Sequence, residues 1–334
     1  MSFPSTRSTR LALTVIALIG AALLSLAVGP AHLSPGELSR GIWGADETAR
    51  IILIELRLPR TLLALVIGGG LGLAGAGLQG FLRNPLAAPD LVGASNAAAF
   101  GAVAMLATGA ANALSWLLPV AAIAGSLLAV SGVIVAAGRD PRILTVVLAG
   151  LAVSALGAAL VALTLNLAPN DFAALEIAFW LLGSLTDRSF VHIAISLPPI
   201  LIGAVLILRR GAMLDALSLG EETARSLGFN IGREQMLLVV GVALISGASV
   251  AVAGVIGFVG LVAPHLARPF VGSRPAAVLL PSAAAGALML TCADIGLRLL
   301  PSLDEIRLGV ITALLGAPFF FLLVLRERRS MRWG

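Results

Sequence analysis

Asp294 and Arg298 stand four residues apart inside the apolar stretch 278–300, so on a helix they share one face. A carboxylate in such a place can carry an ion along a pathway, or it can simply neutralise the guanidinium beside it; the i,i+4 spacing favours the ion pair. Other reactive side chains are sparse. His32, His192 and His265 show no helical ligand spacing, which suits structural or interfacial roles better than a metal site. Cys292 is the single cysteine, so no intrachain disulfide can form, and its apolar setting suits a small buried hydrophobe. No nucleophile comes with a base and an orienting acid, so no catalytic constellation is expected. All 22 basic residues are arginine. Without a lysine, a phosphate-cradling GxxxxGK[ST] loop is excluded, and any nucleotide energy has to come from a partner.

Gly70, Gly72 and Gly75 match GxGxxG by spacing. A dinucleotide site would need a preceding strand and a following acidic residue; here the glycines lie inside an apolar run, where Gly68 and Gly72 also form GxxxG, so close helix packing is expected.

The elements that must position these residues are set by composition. Hydrophobic residues make up 59% of the 334 residues and charged residues 12%, with a mean hydropathy of +1.03. These values describe an integral membrane protein, and the lack of strict alternation makes its spans helical rather than barrel strands. Apolar runs cover 11–28, 61–82, 91–108, 114–137, 143–167, 193–208, 236–252, 255–270, 278–300 and 310–325, ten in all. The first could by itself be a signal peptide, but the runs that follow favour a transmembrane helix. Pro264 interrupts the run 255–270, where a re-entrant hairpin would alter the count. With no internal repeat or linker, residues 1–334 form a single transmembrane domain. The formal charge of +5 comes from arginines scattered over short loops, a topology signal rather than a nucleic-acid surface. With the N-terminus inside, fifteen arginines fall inside and seven outside, so both termini are expected in the cytoplasm.

Between two of these runs lies a polar island, residues 211–232. Ser218 and Glu221 fit a capping box, Glu221 and Arg225 an i,i+4 pair, and Gly228 a left-handed helix end. Leu219, Ala224 and Leu227 form an apolar face too small to found a core, so the island should pack against another protein.

Several segments together resemble the FecCD-type permeases, the membrane subunits of type II ABC importers for ferric siderophores, haem and vitamin B12. They are RLPR at 57–60, GLQGFLRNPLAAPDLVGAS at 77–95, FWLLGSL at 179–185, LSLGEETARSLG at 217–228, AGVIGFVGLVAPHLAR at 253–268 and LGVITALLGAPFF at 308–320. The resemblance implies an all-α polytopic fold of about ten transmembrane helices per subunit, paired as a homodimer in the inner (plasma) membrane with the pathway on the two-fold axis. It further implies two cytoplasmic ABC ATPases, which hold the ATP and Mg, and a periplasmic or extracellular binding protein. The chain itself would carry no cofactor and no enzymatic activity.

By motif position, the resemblance assigns coupling to the ATPase to Ser218, Leu219, Gly220, Glu221, Glu222, Arg225, Leu227 and Gly228. It assigns docking of the binding protein to Arg57, Arg60 and Arg298. It places the inner gate around Asp140 to Leu144, including Ile143, and makes Ser154 and Asn166 on the fifth apolar run pathway residues. Two departures stand out. Glu305-Ile306-Arg307-Leu308-Gly309 replaces the usual Glu-Leu-Pro-Val-Gly, so Arg307 adds a cation near the outer mouth that would favour an anionic cargo or a more acidic binding protein. Asn96-Ala97 replaces a Gly-Ala pair. The expected function is ATP-driven import of an iron chelate, with haem or vitamin B12 as alternatives. Ion-coupled transport through Asp294 and a non-transporting scaffold are the competing classes.

Overall fold

The computed structural model describes residues 7–110, 114, 116–138, 143–299 and 306–330. Each of the ten apolar runs falls on a helix. The helices are α1 (Arg7–Ala27), α2 (Pro35–Ile42), α3 (Glu47–Ile51), α4 (Leu58–Leu82), α5 (Ala94–Ala107), α6 (Leu117–Ala137), α7 (Ile143–Asn166) and α8 (Asp171–Leu181). They continue with α9 (Phe190–Leu208), α10 (Gly211–Ser218), α11 (Glu221–Ser226), α12 (Ile231–Ala253), α13 (Val259–Val271), α14 (Pro275–Leu299) and α15 (Leu308–Ser330). The chain is a polytopic membrane protein.

Among the described residues, six helical stretches are long and apolar enough to cross a bilayer by themselves, including the continuous 47–82, α12 and α14. α13 has only 13 residues, about 20 Å of helix, short of the roughly 30 Å hydrocarbon core. The non-helical stretch 254–258 precedes it, so α13 starts inside the bundle, where Gly260 abuts Gly75 of α4.

α4 and α12 form the centre, with 78% of their most apolar stretches buried, against 17% for α7. The reason is small side chains. A Cβ at Gly68 would lie 2.4 Å from the carbonyl oxygen of Gly286, and one at Gly72 2.2 Å from that of Ser282, so α4 and α14 meet backbone to backbone. The GxxxG pair therefore packs helices, as the sequence predicts.

Before α4 the chain makes a π-helical turn over Ile52–Arg57, in which the Leu58 N–H bonds the Leu53 carbonyl, five residues back. Pro59 follows and has no N–H to continue the ordinary ladder. The turn carries Arg57 toward the end of α1.

Candidate functional site

The polar island forms two short helices at one end of the bundle. α10 is anchored: Met213, Leu214 and Leu217 are buried, and Asp215 binds the neighbouring α14. The Asp215 carboxylate pairs with Arg274 at 2.6 Å and accepts the Ala276 N–H at 2.9 Å. Arg210 pairs with Glu234 at 3.1 Å, tying the ends of α9 and α12. α11 is attached more loosely, since only Ala224 is buried while Leu219 and Leu227 are 70% and 61% exposed. A recess of about 520 Å³ opens beside the island, lined in part by Arg83, Ser218, Arg268 and Arg274.

The expected Glu221–Arg225 pair is present at 3.1 Å, and Gly228 is left-handed at φ +88. The expected capping box is not. Ser218 ends α10, its hydroxyl donating to the Asp215 carbonyl at 2.6 Å, and Gly220 takes the N-cap position of α11 at φ +114. α10 continues as far as Ser218, and an L side chain rarely adopts the backbone angle that the break requires. Gly220 is thus the residue that separates the two helices.

At the opposite end, four segments converge on Asp294, which is fully buried. Arg60 donates to both carboxylate oxygens, at 2.7 and 2.9 Å to Oδ1 and 3.1 Å to Oδ2, while Arg298 pairs with Oδ2 at 2.8 Å. Arg298 also donates to the Ser25 and Val28 carbonyls at 2.8 and 2.9 Å. Arg57 donates to the carbonyls of Leu26 and Ala27, both at 2.8 Å, and to that of Ala31. These acceptors are carbonyls in and just beyond the last turn of α1, which a helix cannot satisfy internally. The guanidiniums therefore cap α1 where water would otherwise be needed. Ser25, hydrogen-bonded to Thr61 at 2.7 Å, completes the network. Arg57, Arg60 and Arg298 are thus brought together, but turned inward, with Arg57 and Arg298 only 5% and 8% exposed.

The pathway candidates are spread along α7 and the start of α15. Leu144 is exposed in the first turn of α7, and Ile143 begins that helix. Asp140 and its neighbours to residue 142 lie outside the described residues. Asn166 turns back on its own helix, donating to the Ala162 carbonyl at 2.9 Å. Ser154 meets Asn96 of α5, whose amide donates to the Ser154 hydroxyl at 2.8 Å and to its carbonyl at 3.2 Å. Arg307 lies over the Phe179 ring, 5.3 Å from its centroid.

Comparison with known proteins decides what this arrangement belongs to. Residues 16–326 match the model of the FecCD transport family. The chain belongs to that family. It is 36% identical over 324 residues to the Fe(3+)-citrate import system permease protein YfmE of Bacillus subtilis (strain 168), covering 96% of each chain. It is 37% identical over 322 residues to the vitamin B12 import system permease protein BtuC of Salmonella typhimurium, covering 96% of this chain and 95% of the other. A solved structure described as an inward-facing metal-chelate type ABC transporter superposes with a TM-score of 0.87 at 30% identity, over 96% of this chain and 99% of that one.

Within this FecCD fold, some residues that matter were not visible as a group in the sequence. Ser25 and Thr61 read only as polar residues within or at the edge of apolar runs, and nothing in their spacing joins them to Arg298. Asn96 was noticeable as a departure, but its partner Ser154 is 58 residues away. Gln79 is likewise distant from Arg268, which donates to its side-chain oxygen. Two of the three histidines make local contacts: His192 Nδ1 accepts the Ser189 N–H at 3.1 Å at the start of α9, and the His265 ring meets Phe319 edge-on. Cys292, expected as a buried hydrophobe, is instead exposed.

Proposed function

We propose that the chain is the permease subunit of an ATP-driven importer of iron chelates. The observation that carries this reading is the coupling island, an anchored helix followed by a helix with bare leucines, in a FecCD chain that has no lysine with which to build a nucleotide loop of its own. A separate ATPase binding ATP and Mg seats on α10 and α11, so that end is cytoplasmic and both termini share its side of the inner membrane. A binding protein docks on the opposite end. There Arg57, Arg60 and Arg298 shape the platform from within, and the exposed Ile42 and Trp43 of the neighbouring α2 segment offer direct contact. α7, largely uncovered in the single chain, packs at the two-fold axis of a homodimer, with Ser154 and Asn166 toward the pathway and Ile143 and Leu144 at the inner gate. The kinship to an iron-citrate permease favours an iron chelate as cargo, and that to B12 permeases makes cobalamin the comparison substrate. Asp294 is held by two arginines, which suits a structural ion pair better than ion coupling.

Proteoliposomes containing the chain test the proposal. Uptake of ferric citrate is expected only when the ATPase, ATP and the binding protein are all present. Uptake by the chain alone along an ion gradient would overturn it, and uptake of cobalamin in place of ferric citrate would correct the cargo.

A further inference from the structure

A second group of cations lies at the end that carries Arg57, separate from the Asp294 network. Arg307, just before α15, places its guanidinium over Phe179 at 5.3 Å from the ring centroid. That contact holds the group beside the ring, within cation–π range. Arg188, in the connection between α8 and α9, senses the charge of Arg307. Among the described residues, the Nε atoms of both arginines are buried without a hydrogen-bond partner. Unmade bonds on charged donors are costly, and two like charges held together add to that cost.

The backbone around the pair is held in place. The Gly309 N–H donates to the Leu182 carbonyl at 3.1 Å, so the segments that bear the two arginines are pinned to one another, and the Ser184 N–H donates to the Ala253 carbonyl at 2.8 Å, tying the first of them to the end of α12. Burial holds the Arg188 guanidinium below the ordinary arginine range; Asp187 opposes the shift and Arg307 adds to it. The imidazole of nearby His192 is engaged through Nδ1 with Ser189 and supplies no counter-charge.

We propose that Arg188 and Arg307, steadied by Phe179, form an anion-receiving site at the outer mouth for a carboxylate-bearing metal chelate. The inference rests on the importer reading, which makes this end of the bundle the outer mouth. Planar guanidinium forks match carboxylates in geometry and charge. The unpartnered Nε atoms are buried rather than at the rim, which favours a small anion that can enter over the acidic side chains of a docking protein.

The test uses the full chain in lipid nanodiscs and measures binding of radio-iron ferric citrate by equilibrium dialysis, with a neutral ferric hydroxamate as contrast. Wild-type protein is expected to bind ferric citrate in preference to the neutral chelate, with free citrate competing. The Arg188→Gln, Arg307→Gln double variant should lose about tenfold or more of that affinity. A double lysine variant, which keeps the charges, controls for folding and should retain part of the binding. Equal binding by wild type and the glutamine variant, or equal losses for both chelates, would overturn the proposal. So would a loss confined to binding-protein affinity, which would assign the cations to an acidic partner surface. ATP-driven uptake by the complete wild-type assembly is read separately: its absence would overturn the importer reading while leaving the binding result in force.

Discussion

Asp294 pairs with two guanidinium groups at once, those of Arg60 and Arg298, and Arg298 in turn joins Arg57 in satisfying the free carbonyls at the end of α1. Removing one partner from a buried ion pair costs about 3–5 kcal/mol, because the remaining charge has neither water nor counter-ion. Asp294→Ala is therefore expected to lower stability by about that amount, with less loss for Asp294→Asn, which keeps a hydrogen-bond acceptor. Chemical unfolding in detergent checks this. Stability equal to wild type for both variants would show that the network has no role in holding the fold. The sequence disclosed half of this site, since the i,i+4 spacing places Arg298 beside Asp294. Arg60 is 234 residues from its partner, and no local spacing could join them.

The two helices of the polar island differ in what holds them. α10 is fastened by buried leucines and by Asp215, whereas α11 has one buried alanine and an exposed ion pair. The Glu221–Arg225 pair is half-exposed, so Glu221→Ala should cost only about 0.3–0.5 kcal/mol of stability. Replacing Leu219 and Leu227 by aspartate should leave the permease folded yet weaken its assembly with the ATPase by about tenfold or more, since exposed apolar anchors contribute most where a partner buries them. Co-purification with titrated ATPase measures both effects, and unchanged assembly would move the contact elsewhere. The helix boundaries here were only partly legible. Ser218 and Glu221 have the spacing of a capping box, but burial of Leu214 and Leu217 extends α10 as far as Ser218, and Gly220 makes the break instead. Tertiary packing thus overrode a local signal that was otherwise sound.

At the scale of the whole molecule, α14 links the polar island at one end to the arginine network at the other. Its first turn is bound through Ala276 and the preceding Arg274 to Asp215, and its last turns carry Asp294 and Arg298. This continuous helix of 25 residues, with Pro281 inside it, is the covalent path by which a displacement at the polar island would reach the arginine network. Asp215→Ala is accordingly expected to lower stimulation of ATP hydrolysis by the binding protein several-fold, while hydrolysis without it persists. Full stimulation in that variant would show that α14 does not carry the signal. The sequence by itself determined the class of fold, because apolar runs of bilayer length permit little but helices, and the missing lysine excluded a GxxxxGK[ST] phosphate loop within it. Its ordered motifs also pointed to the family. What only the tertiary structure decided is which residues act together. Asp294 with Arg60, Asn96 with Ser154, and Phe179 with Arg307 are brought into contact by helix packing between distant parts of the chain, and packing of that kind leaves no periodic trace along it.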